Sequence, residues 1–148
     1  MRHRILSVWV TALGLLGCSG PIYVMPGGAL AGPLRATPQD FSFADEAGTI
    51  QLETNPSQPY SVNISCAVVA GVLYINAGDT ETAWVKNIQA DRNVRLRIND
   101  GIFELQAHRV TEAAEMDRVA EAWTGKHGWW ARDPRELDEA WVYLLEGR

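Results

Sequence analysis

Several short segments of the chain alternate apolar and polar residues, which is the pattern of β-strands buried on one face. In residues 94–98, for example, Arg95 and Arg97 alternate with three aliphatic residues. Residues 60–69 are rich in β-branched and small residues, which also favours a strand. The pattern predicts six strands, over residues 49–54, 60–69, 72–75, 94–98, 102–110 and 141–145.

Two turn sequences indicate that neighbouring strands pair as hairpins. Ala70 and Gly71 separate the second predicted strand from the third. Asn99, Asp100 and Gly101 separate the fourth from the fifth, and this sequence strongly favours a tight reversal of the chain. We therefore expect antiparallel pairing.

Two other segments place apolar residues at helical spacing. The first contains Trp84 and Ile88, four residues apart, and Asp79 or Thr80 can cap its N-terminus. The second begins at Thr111, and its apolar residues follow the i, i+3, i+4, i+7 spacing of an amphipathic helix. The residues of that apolar face are Met116, Val119, Ala120 and Trp123.

The predicted order is three strands, a short helix, two strands, a longer helix and a last strand. The helices are too few for repeated βαβ units, so we expect a mainly β domain of the α+β type. The predicted fold is a six-stranded antiparallel β-barrel, closed or partly closed, with two helices. We assign this domain to residues 39–148.

The first 17 residues have the pattern of an export signal. Residues 1–4 are basic, and residues 5–17 are almost entirely apolar. A transmembrane helix needs about 20 apolar residues, so this run is too short to be one. We expect residues 1–17 to be a signal peptide that is removed.

The end of this run, Leu15-Leu16-Gly17-Cys18-Ser19, resembles the lipobox of bacterial lipoproteins. The resemblance implies acylation of Cys18, with chains such as palmitate, and attachment to a lipid bilayer. A serine after the cysteine implies passage to the outer membrane, on its periplasmic side. The alternative is an ordinary signal peptide followed by an incidental cysteine.

Residues 18–38 are rich in proline and glycine and show no helical or strand period. We expect them to form a lipidated, flexible tether that spans roughly 25 Å. Without residues 1–17, the chain has 11 Lys and Arg against 18 Asp and Glu, which gives a net charge of about −7. An acidic chain without basic clusters argues against a nucleic-acid partner.

The helix–strand segment 83–97 contains Trp84, Asn87, an aliphatic residue, Asp91 and Val94 in a fixed order. This string resembles that of the deazaflavin-dependent nitroreductase-like group in the FMN-binding split-barrel superfamily, which also includes proteins like pyridoxamine 5'-phosphate oxidase. The resemblance covers roughly residues 48–146. It implies a six-stranded split barrel, often a homodimer, that binds a flavin or deazaflavin at the edge of the barrel.

Two loops depart from the pattern of that superfamily. Nitroreductases of the group have a glycine-rich basic turn before the second strand, whereas residues 55–59 contain neither glycine nor a positive charge. After the third strand this chain has Gly78-Asp79-Thr80, and the carboxylate of Asp79 would repel a phosphate. The hydroxyls of Thr80 and Thr82, at a helix N-terminus, are the alternative anion site.

The resemblance and the strand faces together give eight candidate cofactor-binding residues: Asn63, Ser65, Gly78, Thr80, Thr82, Trp84, Lys86 and Asn87. Each has a structural alternative. Asn63 and Ser65 share a strand face that could contact solvent instead, Trp84 could belong to the core, and Asn87 could tie its helix to a strand. Catalytic side chains stay unassigned, because a flavin would supply the chemistry.

Other unusual residues add little to this assignment. His108 and His127 have no acidic or cysteine neighbours at ligand spacing, so no metal site is expected. Cys66 has no histidine or lysine near it in sequence and is interpreted as a small buried hydrophobic residue. Trp129 and Trp130 could cover the open end of the barrel, cap a ligand pocket or touch lipid headgroups.

Two functions follow, and the sequence does not decide between them. One is an FMN-dependent oxidoreductase that acts on a small molecule in the cell envelope. The other is a cofactor-free split-barrel module for binding or assembly at the membrane. FMN and the absence of any cofactor are equally supported, and deazaflavin is less favoured because Gram-negative hosts commonly lack it.

Overall fold

The structure is a computed structural model that describes residues 20–78, 81–128, 132–136 and 141–148. Within these ranges the strands form one antiparallel sheet, accompanied by two α-helices and two short 3-10 turns, Ser42–Ala44 and Pro134–Glu136. The elements are β1 (Ile50–Thr54), β2 (Tyr60–Ile64), β3 (Cys66–Val69), β4 (Val72–Ala77), α1 (Ala83–Ala90), β5 (Asn93–Ile98), β6 (Gly101–Arg109), α2 (Ala113–His127) and β7 (Trp141–Gly147).

The order of the strands requires the sheet to curl. Strands lie in the order β2-β1-β5-β6-β7-β4-β3, so β2 and β3 occupy the two edges. A single residue, Ser65, connects these edges in the chain. Two peptide links span at most about 7 Å, so the two ends of the sheet must come together at Ser65. The result is a curled, barrel-like sheet whose two edge strands are consecutive in the chain.

The predicted fold class, a mainly β antiparallel barrel with two helices, is confirmed, although the sheet has seven strands rather than six. The difference lies in the segment 60–69, which was predicted as one strand. Its first half pairs with β1 (Ile50 opposite Ile64), and its second half pairs with β4 (Cys66 opposite Ile75). One straight strand cannot pair at both edges, so the segment bends at Ser65.

Both predicted hairpins are present. Val69 pairs with Val72, and the two residues between them have φ angles of 50° (Ala70) and 81° (Gly71). Positive φ at both central residues is what the tight turn of a two-residue hairpin requires. The second hairpin pairs Ile98 with Gly101, and Asn99 has φ 55°.

Apolar side chains fill the inside of the barrel, and the two helices cover parts of the sheet. Trp84, Val85 and Ile88 of α1 belong to the main core. The predicted apolar face of α2 is confirmed: Val119, Ala120 and Trp123 are buried, and Met116 packs beside Val119 against the second core cluster. α2 begins at Ala113, slightly later than expected, and Thr82 rather than Asp79 or Thr80 precedes α1.

The described part of the predicted tether, residues 20–38, lies against the barrel instead of extending from it. Gly27 and Ser61 exchange two backbone hydrogen bonds of 2.8 Å each. Further along, Arg35 N donates to Ile102 O at 2.8 Å. Leu30 between these contacts is only 3% exposed. Residues 20–38 contain no helix or extended strand, and these contacts hold them against the barrel.

A buried ion pair explains why this segment lies where it does. Glu53 lies on the face of β1 opposite Ile50 and Leu52, yet it is 3% exposed because the segment covers it. Its carboxylate accepts hydrogen bonds from Leu30 N at 2.5 Å and from Arg95 Nη1 at 3.1 Å. Arg95 Nη2 also donates to Leu30 O at 3.4 Å. The backbone N–H and C=O of Leu30 are therefore both hydrogen-bonded to this ion pair.

Candidate ligand cleft

A cleft of about 530 Å³ lies beside the C-terminal end of α1, next to β5, β6 and β7. Clefts of this volume are the usual size of small-molecule sites. Asn93 of β5 faces Gln106 of β6 across the strand pair, and their side chains are joined by a 3.1 Å hydrogen bond. Arg109 of β6 faces Tyr143 of β7 in the same way. The barrel thus brings four polar residues, far apart in sequence, into one cleft.

Two arginines give the cleft an excess of positive charge in an otherwise acidic protein. Arg92 and Arg109 both line it, together with one carboxylate, Asp91. That carboxylate accepts hydrogen bonds from Asn93 N at 2.9 Å and Asn93 Nδ2 at 2.8 Å, which direct it toward the start of β5. Guanidinium groups bind phosphates and carboxylates through paired hydrogen bonds. The cleft therefore suits an anionic ligand.

Aromatic rings form one wall of the cleft. The Trp141 and Tyr143 ring centroids are 6.4 Å apart, and Trp84 stands behind them, 6.1 Å from Tyr143. The guanidinium of Arg109 lies 3.7 Å from the centroid of the Trp141 ring, in the geometry of a cation–π contact. A positively charged group is thus held beside an apolar surface.

The hydroxyl of Tyr143 is buried and has no hydrogen-bond partner within the described ranges. Burial raises the pKa of Tyr143 from 10 to about 12, while the positive charge of Arg109 opposes this shift. The hydroxyl therefore keeps its proton at physiological pH. Buried polar groups are normally paired, so a donor without a partner beside a cleft is notable.

The predicted site residues on the second strand lie away from this cleft. Asn63 Nδ2 donates to Tyr23 O at 2.8 Å, and Asn63 Oδ1 accepts from Gln51 Nε2 at 3.2 Å. The segment preceding the barrel therefore covers Asn63. Ser65 is the link between β2 and β3 rather than a member of a strand face.

The predicted residues near α1 also lie outside the lining of the cleft. Trp84 is 8% exposed and packs in the core, so it approaches the cleft only through Tyr143. Lys86 Nζ lies 2.7 Å from Glu81 Oε2 on the surface. Asn87 Nδ2 donates to Thr54 Oγ1 at 3.0 Å, which ties α1 to β1.

The remaining predicted residues precede α1 in the sequence. Gly78 is exposed just after β4, and Thr82 immediately precedes α1. Thr80 and Asp79 lie outside the described residues, as do Cys18, Trp129 and Trp130. None of the described candidates lines the cleft beside β5, β6 and β7. The cleft uses the other end of the same helix.

No residue close to Cys66 in sequence indicates a polar contact for its side chain, which is completely buried. Lys126, sixty residues further on, places its Nζ 3.7 Å from Cys66 Sγ and 3.6 Å from Asp45 Oδ1. His127 Nε2 lies 3.0 Å from Cys66 O. Burial raises the pKa of the Cys66 thiol, and the charge of Lys126 offsets only part of that rise. The thiol is thus protonated and shielded.

Across the described ranges, no three His, Cys, Asp or Glu side chains gather as ligands for a metal ion. Among the same residues, no helix is both long and apolar enough to cross a membrane.

Comparison with known proteins supports the fold. No family model matches the chain, and no curated protein matches it. Among solved structures, HutZ, a heme storage protein from Vibrio cholerae, superposes with a TM-score of 0.59 at 14% identity, over 72% of this chain and 85% of that one. An F420-H2 dependent reductase matches with a TM-score of 0.57 at 16% identity, over 68% and 95% of the two chains.

A third structure, from Listeria innocua and assigned as a pyridoxamine 5'-phosphate oxidase, matches with a TM-score of 0.55 at 12% identity, over 71% and 87% of the chains. The chain has the split-barrel fold. Identities this low show the fold and nothing more, and the names of these three proteins imply different ligands. Whether this split barrel holds a ligand therefore depends on its own residues.

Proposed function

We propose that this protein is an envelope lipoprotein that acts as an oxidoreductase on a small molecule. We propose further that its split barrel binds FMN in the cleft lined by Arg92, Arg109, Trp141 and Tyr143. The observation that supports the proposal most strongly is the pairing of Arg92 and Arg109 with the Trp141–Tyr143 wall. FMN combines a flat ring system with a phosphate, and the cleft offers an aromatic wall and two guanidinium groups.

The residues of the cleft fit this ligand in three respects. Its volume of about 530 Å³ is within the range of small-molecule sites. Arg92 and Arg109 provide donors in the geometry that phosphate prefers. The rings of Trp141 and Tyr143 provide an aromatic wall for the flavin ring. These are binding and orienting roles; FMN, when bound, supplies hydride transfer.

Membrane attachment is the second part of the proposal, and it rests on the sequence alone. The basic start, the apolar run and the lipobox-like end at Cys18 support acylation of that cysteine. Attachment through acyl chains would place the barrel on the periplasmic side of the outer membrane, as a monomer or a homodimer. The flavin and its reductant would then both have to be available in the envelope.

One observation favours the alternative function, a cofactor-free module for binding or assembly. Asn63, on the strand face where a cofactor was expected, is covered by the chain around Tyr23. The loop 55–59, where relatives place a basic turn, contains no positive charge. In this alternative function the barrel is still attached to the membrane, but its cleft holds no cofactor and catalyses no reaction.

Titration with FMN separates the two functions. The full chain, purified in mild detergent, is titrated with FMN while tryptophan fluorescence and the flavin absorption spectrum are recorded. The proposal predicts a yellow protein, or saturable binding of FMN at micromolar concentrations that quenches tryptophan emission. A colourless protein that leaves the FMN spectrum unchanged at millimolar FMN would support the cofactor-free module instead.

A further inference from the structure

Four consecutive large apolar side chains project from the segment before the barrel. Ile22 is 54% exposed, Tyr23 89%, Val24 96% and Met25 65%. Soluble surfaces normally scatter such residues singly, so four together are unusual. We call residues 22–25 the apolar turn.

Hydrogen bonds hold the apolar turn in this exposed position. Ile22 and Met25 exchange backbone bonds of 3.1 Å and 2.9 Å, and Tyr23 between them has φ 51°. Asn63 Nδ2 binds Tyr23 O, and Gly27 pairs with Ser61 on β2. The backbone is thus attached to the barrel, while the four side chains stay more than half exposed. These backbone hydrogen bonds therefore keep the four side chains exposed.

The apolar turn also lies in an uncharged stretch of an acidic chain. No Asp, Glu, Lys or Arg occurs from Ser19 to Leu34, although the chain contains 18 acidic residues. Anionic phospholipids repel carboxylates at short range, so this stretch can approach a lipid surface where most of the protein is disfavoured. Tyrosine is itself enriched at membrane interfaces.

The short stretch of chain between Cys18 and the apolar turn indicates which surface lies beside the turn. Cys18 precedes Ile22 by four residues, which span at most about 14 Å even when fully extended. Acyl chains on Cys18 would therefore enter the bilayer within that distance of the turn. Of the surfaces that could cover the turn, a lipid surface is the one that acylation would bring to it.

We propose that the apolar turn, residues 22–25, inserts into the lipid surface beside acylated Cys18 and forms a second attachment to the membrane. The inference rests on the membrane attachment in the proposed function. Acyl chains alone leave a protein free to rotate over the bilayer, whereas a rigid turn fixed to β2 sets the orientation of the barrel. The apolar side chains then lie about 5–10 Å into the boundary between headgroups and acyl chains.

Site-specific labelling tests this insertion in the full-length, acylated protein. Val24→Cys is labelled with an environment-sensitive fluorophore, and the protein is reconstituted into vesicles of phosphatidylethanolamine and phosphatidylglycerol. Glu121→Cys, an exposed position on α2, is the matched control, and Met25→Cys is an independent second site. Cys66 is completely buried and does not compete for the label. Quenching by brominated lipids and by aqueous iodide is compared, and intact mass establishes acylation.

The expected result is a label at residue 24 or 25 that is quenched by brominated lipids and shielded from iodide, with the opposite behaviour at residue 121. Acylated protein whose residue-24 and residue-121 labels are equally open to iodide would overturn the insertion and leave the lipid anchor intact. A label shielded from iodide but not reached by lipid quenchers would place a second copy of the chain there and also overturn it. Protein without acyl chains would overturn both the anchor and the insertion.

Discussion

Replacing Arg95 with methionine tests whether the ion pair under residues 20–38 stabilises the domain. Methionine keeps much of the apolar stem and removes the guanidinium. In the structure, Arg95 Nη1 lies 3.1 Å from both carboxylate oxygens of Glu53. The substitution leaves a nearly inaccessible carboxylate with Leu30 N as the one remaining donor that the structure shows.

The expected cost follows from the burial of the two partners. Removing one member of a buried ion pair typically costs about 3–5 kcal/mol, because the other charge is left without a partner. Glu53 is 3% exposed, but the Arg95 side chain is 26% exposed, so water can partly replace it. We therefore expect a loss of about 2–3 kcal/mol. For a domain of this size, that lowers Tm by roughly 6–12 °C.

Thermal and urea unfolding of the full chain in detergent measure this loss. Arg97→Met is the matched control, since Arg97 lies on the same strand face and no ion pair joins it to another described residue; its expected effect is below about 0.5 kcal/mol. Adding Glu53→Gln to Arg95→Met should restore part of the stability, because the unpaired charge is removed. Equal effects for Arg95→Met and Arg97→Met would refute the reasoning.

Three further predictions concern buried titratable groups. Tyr143→Phe should leave stability at pH 7 unchanged or raise it by up to about 1 kcal/mol in urea unfolding, because it removes an unpaired buried hydroxyl; a clear loss of stability would contradict this. Burial raises the pKa of both Tyr74 and Tyr143 to about 12, so the unfolded chain loses these two protons at lower pH than the folded chain does. The stability of the protein should therefore fall between pH 10 and pH 12. Alkaline unfolding of the protein and of Tyr143→Phe measures this fall. The Cys66 thiol should react with a disulfide reagent at pH 8 far more slowly in the native protein than in urea, and equal rates would contradict its burial.

Local patterns predicted most of the secondary structure. The hairpin at Ala70-Gly71 and the apolar face of α2 depend on turn chemistry and on spacing within a few residues, so both are visible in sequence. The bend at Ser65 is not, because it arises from pairing with two strands at opposite edges of the sheet. A long apolar run cannot show which edge each half will meet.

The contacts between distant residues could not be predicted in this way. Glu53 alternates like a solvent-facing residue, and only the approach of Leu30 and Arg95 buries it. Likewise, Lys126 reaches Cys66 across the fold, with no sequence neighbour to suggest it. The cleft is lined by the C-terminal end of α1, the loop after it, β5, β6 and β7, whereas the resemblance directed attention to the start of α1 and the second strand. A string of residues typical of a superfamily therefore indicates the fold more readily than the ligand.

Comparing FMN with riboflavin tests the proposed cleft most directly, because the two ligands differ only by a phosphate. Charge-assisted hydrogen bonds contribute about 1.5–3 kcal/mol, so the intact protein should prefer FMN by roughly 10- to 100-fold. Arg109→Met should lose most of this preference, and Arg97→Met should keep it. Equal affinities for the two ligands in the intact protein, or an FMN preference that survives Arg109→Met, would contradict the assignment of the cleft as a flavin site.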